Sequence, residues 1–250
     1  EHHFDPSPKE VEQVASAKLG VMVGLGLDPW MDKLMKDAAP KARTLKVGDR
    51  VPTITIKHDM IGDEEAHKGT KDDDDDHEKG ATDPHAWLDP QRARLMAKAI
   101  AEELSRADSA HANAYRDRAA ALDKSLEVLD KDVEAKMKAL PKKQLITFHG
   151  SFGYFAERYG LEVVAVIEPF PGSTPTGEYI TKVLGVVKSK QVPALFSEPQ
   201  LDPRPAKVIA DEAKKPLDVL DPIGGTGDRD TYEKTLRYDV AVLGKYLGGA

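Results

Sequence analysis

Apolar positions along this chain change rhythm several times, and the changes mark out its elements. KLGVMVGLGLDPWMDKLMKDA (18–38) opens as a short apolar strand, passes through a glycine turn and continues as an amphipathic helix from about Pro29. Ahead of it, SPKEVEQVASA (7–17) carries a serine N-cap, proline at the first helical position and Glu10 three residues after Ser7, which predicts a helix with a capping box. Residues 57–80, KHDMIGDEEAHKGTKDDDDDHEKG, show no apolar period and read as a long acidic loop. PQRARLMAKAIAEELSRA (90–107) is helical in pattern. Residues 108–140 contain neither glycine nor proline, and Leu122, Leu126, Leu129, Val133 and Met137 recur at helical spacing. One long helix, stopped by Pro141, is expected there.

The second half alternates. Strands are expected at 144–148, 162–167, 194–197 and 217–220, with helices over about 150–159, 176–190, 204–214 and 231–247. Alternation of this length predicts a parallel sheet covered by helices, with ligands gathered at the carboxyl ends of its strands. The expected architecture is α/β. An N-terminal lobe (1–107) contains the acidic loop 57–80, a linking helix covers 108–140, and a C-terminal lobe covers 141–250. Each lobe is expected to hold a mainly parallel sheet flanked by helices, with the long helix as a rigid spacer between them.

Composition narrows the function. Of 250 residues 40% are hydrophobic and 32% charged, and no apolar run approaches the roughly 20 residues that would span a bilayer. The formal charge of −7 is mostly local, because residues 57–80 hold ten acidic side chains against four lysines. No basic stripe favours nucleic acid. The absence of cysteine excludes disulfides, thiolate metal sites and cysteine nucleophiles. Gly24-Leu-Gly26 lacks the third glycine of a dinucleotide fingerprint, since Pro29 stands in its place, so a tight strand-to-helix turn is the better account.

The candidate chemistry lies in histidines and acids at expected strand ends. His149 follows LITF, Glu198 follows ALFS and Asp221 follows LDVL. His85 sits between two Asp-Pro dipeptides in ATDPHAWLDP (81–90), where Pro84 and Pro90 stiffen the chain, and Trp87 is a candidate anchor behind it. Glu1, His2 and His3 open the sequence. Taken singly, each is equally an ordinary turn residue. Together, three imidazoles and a carboxylate drawn from separate loops would make a nitrogen- and oxygen-rich tetrahedral set, which suits zinc.

These motifs, in this order, resemble the metal-specific substrate-binding proteins of bacterial ABC transporters known as cluster A-I. EHHFDPSP resembles the family's His-x-aromatic motif, GLGLDPWMDKL its glycine-to-tryptophan turn, and DPHAWLDP its second histidine motif. TFHGSFGYFAERYGL resembles the third, FSEPQ the loop acid and LDPIGG the terminal aspartate. The resemblance implies His2, His85, His149 and Asp221 as metal ligands, with Phe4 selecting His2 over His3. Manganese and iron members tend to carry glutamate where this chain has His149, so the resemblance implies Zn2+. Glu1 and Glu198 would serve as an extra ligand or as oxygens behind the ligands. By the resemblance, the family's first β-α-β unit would lie upstream of the first histidine motif and is not in this sequence. Either it is cut or unobserved, or the domain is assembled differently, and as the sequence stands the N-terminal sheet is expected to show an exposed edge.

The implied function is an extracytoplasmic, periplasmic or surface-anchored protein, monomeric, that captures zinc between two lobes and delivers it to an ABC permease. The long helix would limit closure to small tilts and loop movements. The alternatives are a manganese- or iron-binding homologue, a surface adhesin on the same fold, or a zinc-dependent hydrolase. The last is disfavoured, because four protein ligands leave no open position for water and the chain has no H-E-x-x-H or G-x-S-x-G. His58, His67 and His77 in the acidic loop are candidates for a weak metal-collecting site, with a plain solvated loop as the alternative.

Overall fold

A computed structural model describes residues 4–56, 81–169, 172 and 174–249. The chain divides into two compact units, one built from residues 4–53 and 82–128, the other from 129–249 together with the short segments at 54–56 and 81.

The first unit begins with α1 (Pro8–Ala15), whose capping box forms as the sequence predicts. The Ser7 hydroxyl accepts the Glu10 N–H, while the Glu10 carboxylate accepts the Ser7 N–H at 2.8 Å. Strand β1 (Leu19–Met22) leads through the glycine turn to α2 (Pro29–Ala38), and β2 (Arg43–Lys46) returns parallel to β1. The apolar pattern misses β2, because RTLK offers one buried side chain, Leu45, and is otherwise polar. Helix α2 lies close against β1: a Cβ at Gly20 would come within 2.8 Å of the Met35 side chain. Met22, Met35 and Ala39 form the small core beneath it.

At the turn, Gly24, Leu25 and Gly26 all have positive φ. The Asp28 carboxylate accepts the N–H groups of Val23 and Gly24, both at 2.7 Å. These are the donors a phosphate would need. The motif is a closed turn with its own anion.

Helix α3 (Pro90–Ala107) starts on an Asp89 cap and is tied to β2 through Glu103. The Glu103 side chain is almost fully buried between the guanidinium groups of Arg43 and Arg106. Hydrogen bonds from Arg43 first, then Arg106, hold its carboxyl below the usual range. A carboxylate with a depressed folded pKa contributes stability above its unfolded value, about 4.3, and loses it as pH falls through the folded one. Glu103→Gln is therefore expected to lower the melting temperature at pH 7, with the gap to wild type closing towards pH 3. Thermal melts across that range measure it, and a gap independent of pH would show that the pair does not act through charge.

Helix α4 (Ala112–Ala139) is the long helix the spacing predicts, preceded by a tighter turn at Ser109–His111. Leu126, Leu129, Val133 and Met137 are buried, whereas Leu122 at the head of the same stripe is exposed. The division between the two units falls within this helix, between Val128 and Leu129.

The second unit holds four strands, β3 (Gln144–Thr147), β4 (Glu162–Val166), β5 (Leu195–Ser197) and β6 (Leu217–Val219), all parallel in the order β4-β3-β5-β6. Helices α5 (Gly153–Tyr159), α6 (Gly177–Ser189), α7 (Arg204–Ala213) and α8 (Tyr232–Leu247) alternate with them. Ile146, Phe148, Ala165, Ile167, Val183, Val187, Leu195 and Ile209 close the core between this sheet and α6 and α7. Parallel strands with both neighbours paired read as unbroken apolar runs, which explains why the central strands were legible in the sequence.

Candidate metal-binding residues

Two of the sequence-predicted ligands share one local design. His85 is buried, and its ring Nδ1 lies 2.8 Å from Asp83 Oδ1, which also accepts the His85 backbone N–H at 2.9 Å. The bond spans Pro84, whose fixed φ holds the two residues in register. The second Asp-Pro pair has a different task. Asp89 caps α3 by accepting the Gln91 N–H at 2.8 Å and also holds Arg92 at 2.6 Å. Trp87 stands beside the imidazole, with ring centroids 5.3 Å apart.

His149 follows β3 in extended backbone, where the strand gives way to the turn Gly150–Phe152. Its Nδ1 lies 2.7 Å from Glu198 Oε2, and its backbone N–H donates to Glu198 Oε1 at 3.3 Å. Glu198 follows the neighbouring strand β5, so the pair is made by sheet order across 49 residues of sequence. Both side chains are buried. A carboxylate at Nδ1 fixes the tautomer and ring angle and directs Nε2 the other way, which is the arrangement behind most metal-bound histidines.

Asp221 follows β6, the strand next to β5, and is fully buried. Its Oδ1 accepts from the Gln200 amide at 2.7 Å and from the backbone N–H groups of Gly224 and Ile223 at 2.9 and 3.2 Å. Its Oδ2 lies 2.9 Å from Arg229 Nε. That contact is an ion pair rather than an aligned hydrogen bond, since neither atom has a hydrogen-bond partner among the described residues. The Asp221 N–H donates to Asp239 Oδ1 on α8 at 2.8 Å. Burial first, with the neighbouring charge of Asp221 adding to it, pushes the Asp239 carboxyl well above the usual range. Burying a bare carboxylate costs several kcal/mol, and this shell of donors plus one guanidinium offsets that cost.

Three of the predicted residues thus emerge at the carboxyl ends of three adjacent parallel strands: His149, Glu198 and Asp221. Buried Glu168, past the end of β4, completes the row, and no sequence motif singles it out. His85 belongs to the first unit. Glu1, His2, His3 and the loop histidines His58, His67 and His77 lie outside the described residues. Among the described residues, no three histidine, aspartate or glutamate side chains form a ready metal-holding group. Sequence reasoning also passed over Asp83, Gln200, Arg229 and Asp239. Asp83 had a signal, because Asp-Pro-His places a short carboxylate two residues before the imidazole. The others are set only by the packing of loops and α8.

The sequence model of the family described as ZnuA, zinc-uptake complex component A, periplasmic, matches residues 1–246. The chain belongs to this family. Membership places it among the zinc-binding components of zinc-uptake systems, a family of transport proteins rather than of enzymes. The high-affinity zinc uptake system protein ZnuA of Brucella abortus is 29% identical over 248 residues, covering 90% of this chain and 74% of that protein. A crystal structure of a ZnuA superposes with a TM-score of 0.82 at 25% identity, covering 98% of this chain and 86% of the other. A zinc-bound variant of AdcAII from Streptococcus pneumoniae gives 0.80 at 26% identity, with 98% and 86% covered. The α/β architecture with parallel sheets flanked by helices is the ZnuA fold. Among the described residues, no helix is long and apolar enough to cross a membrane.

Proposed function

We propose that this protein binds one zinc ion outside the cytoplasm through His2, His85, His149 and Asp221 and passes it, as a monomer, to the permease of an ABC transporter. The observation that carries the ligand set is the repeated pairing of a buried imidazole with a buried carboxylate through Nδ1, at His85 with Asp83 and at His149 with Glu198. In this reading Glu198 acts behind the ligand His149, and Asp83 has the same part for His85. Four protein donors close a tetrahedral shell, which suits carriage of zinc and leaves no open position for a substrate or a hydrolytic water. The same reading takes residues 108–140 as a spacer helix between a lobe over 1–107 and a lobe over 141–250. The acidic segment 57–80, with His58, His67 and His77, would gather zinc weakly, because its donors are mostly carboxylate oxygens.

A calorimetric titration tests this reading. One tight zinc per chain is expected, followed by a weaker class of sites. Deleting residues 57–80 should remove only the weaker class. If the tight site vanishes with the segment, the four ligands named above are wrong. Anomalous scattering at the zinc edge from a loaded crystal would locate the ion directly.

A further inference from the structure

We propose that Arg229 is a resident counter-ion of Asp221 that competes with the arriving metal ion, and so sets how readily the site lets zinc go. The proposal rests on the reading that Asp221 is a zinc ligand.

The two oxygens of Asp221 are unlike. Oδ1 is saturated by the Gln200 amide and two backbone N–H groups. Oδ2 has charge beside it but no directed donor, for the Arg229 Nε at 2.9 Å does not point its hydrogen at it. An oxygen so placed is neutralised without being coordinated, and it is the one a metal ion would take. The Arg229 side chain is 18% exposed, so it touches both the buried carboxylate and solvent.

The arginine is supported independently of Asp221. Its guanidinium carbon lies 4.5 Å from the centroid of the Tyr238 ring, a cation-π seat on α8. Its backbone is pinned on both sides: its carbonyl accepts from the Gly225 N–H at 2.7 Å and the Thr235 hydroxyl at 3.2 Å, and its N–H donates to the Thr226 carbonyl at 3.0 Å. Gly224 turns with φ +73°, and a Cβ there would fall 2.1 Å from the Thr235 hydroxyl and 2.9 Å from the Arg229 carbonyl. Only glycine permits this turn, which therefore presents Arg229 to Asp221 at a fixed starting point. The side chain can then swing on a fixed backbone.

The consequence is an exchange of cations. A dication beside Asp221 repels the guanidinium, which either moves outward towards solvent or stays and weakens the metal bond. When zinc leaves, Arg229 restores neutrality to a carboxylate that is fully buried and sits against a second buried acid, Asp239. Zinc is thus held less tightly than the same donors would hold it alone, and the empty site is stabilised. For a carrier that must release its cargo, both effects point the same way.

The test is a chelator competition on the full chain with zinc at pH 7.5, alongside stopped-flow release. Arg229→Gln is expected to tighten zinc binding about tenfold or more, chiefly through slower release, while Arg229→Lys, which keeps the charge, stays within about threefold of wild type. Arg229→Gln should also lower the metal-free melting temperature and show a larger rise on adding zinc than wild type does. Arg229→Met, apolar but still able to cover Tyr238, serves as a second neutral variant if the glutamine form folds poorly. Weaker or unchanged zinc binding in the neutral variants overturns the proposal and leaves Arg229 as a support for the loop. Asp221→Asn separates the two failures. If it loses about a hundredfold while the neutral Arg229 variants gain nothing, Asp221 stands as a ligand and only the arginine's part falls. If Asp221→Asn binds zinc as tightly as wild type, both fall together.

Discussion

Replacing His149 by alanine is expected to weaken zinc binding by roughly two to three orders of magnitude, while leaving the metal-free fold intact. Structural zinc sites release about 10–16 kcal/mol, so one ligand of four carries about 2.5–4 kcal/mol, and each 1.4 kcal/mol is tenfold. Glu198→Gln should cost less, about 10- to 100-fold, because the amide oxygen can still accept from Nδ1 but lacks the charge that makes the ring a better donor to metal. His3→Ala should change little, since in the proposed ligand set it is His2, two residues before Phe4, that binds the ion. The Phe4 ring lies against Trp30, with centroids 4.7 Å apart and planes tilted by 45°. Competition with a chelator of known affinity gives all three numbers on one scale, and melting of the metal-free proteins excludes misfolding. Equal losses at His3 and His149 would show that the N-terminal register is misread.

Acid is expected to strip the metal steeply. Zinc requires neutral imidazoles, whose unperturbed pKa is about 6.5, so protons compete for three of the four proposed ligands. The sign follows: affinity is full above about pH 7.5 and is lost as pH falls through the histidine range, approaching a hundred- to thousandfold per unit once all three rings are protonated in the metal-free protein. A site built mainly from carboxylates would hold its affinity down to roughly pH 5. Titrations between pH 5 and 7.5, with the chelator's own proton dependence subtracted, distinguish the two. A slope near zero across that range would remove the three-histidine site and favour an oxygen-rich one.

Much of this protein is legible in its sequence. Four parallel strands and the helices between them follow from apolar runs broken by Gly, Pro and polar segments, and each was placed to within a few residues, the central β3 and β5 most plainly because a strand buried on both faces has no polar face to blur the pattern. The capping box at Ser7 and the cap at Asp89 are local chemistry and needed nothing beyond their neighbours. Strand β2 was not legible, since RTLK owes its extended form to pairing with β1 rather than to its own composition. The Asp83–His85 bond was within reach of the sequence, being two residues long.

The rest had to wait for tertiary structure. Sequence could put His149, Glu198 and Asp221 at strand ends, but strand order alone makes β3, β5 and β6 adjacent and so brings a carboxylate to Nδ1 of His149 from 49 residues away. Sequence could name Asp221, but which of its oxygens is saturated, and which faces Arg229, depends on how the glycine turn at 224–227 folds onto α8. The physical reason is one of range. Burial pattern, caps and turn residues act over a few positions and are written in the chain. The hydrogen bonds and charges that tune a ligand act through space, between segments whose separation in sequence carries no information about their distance.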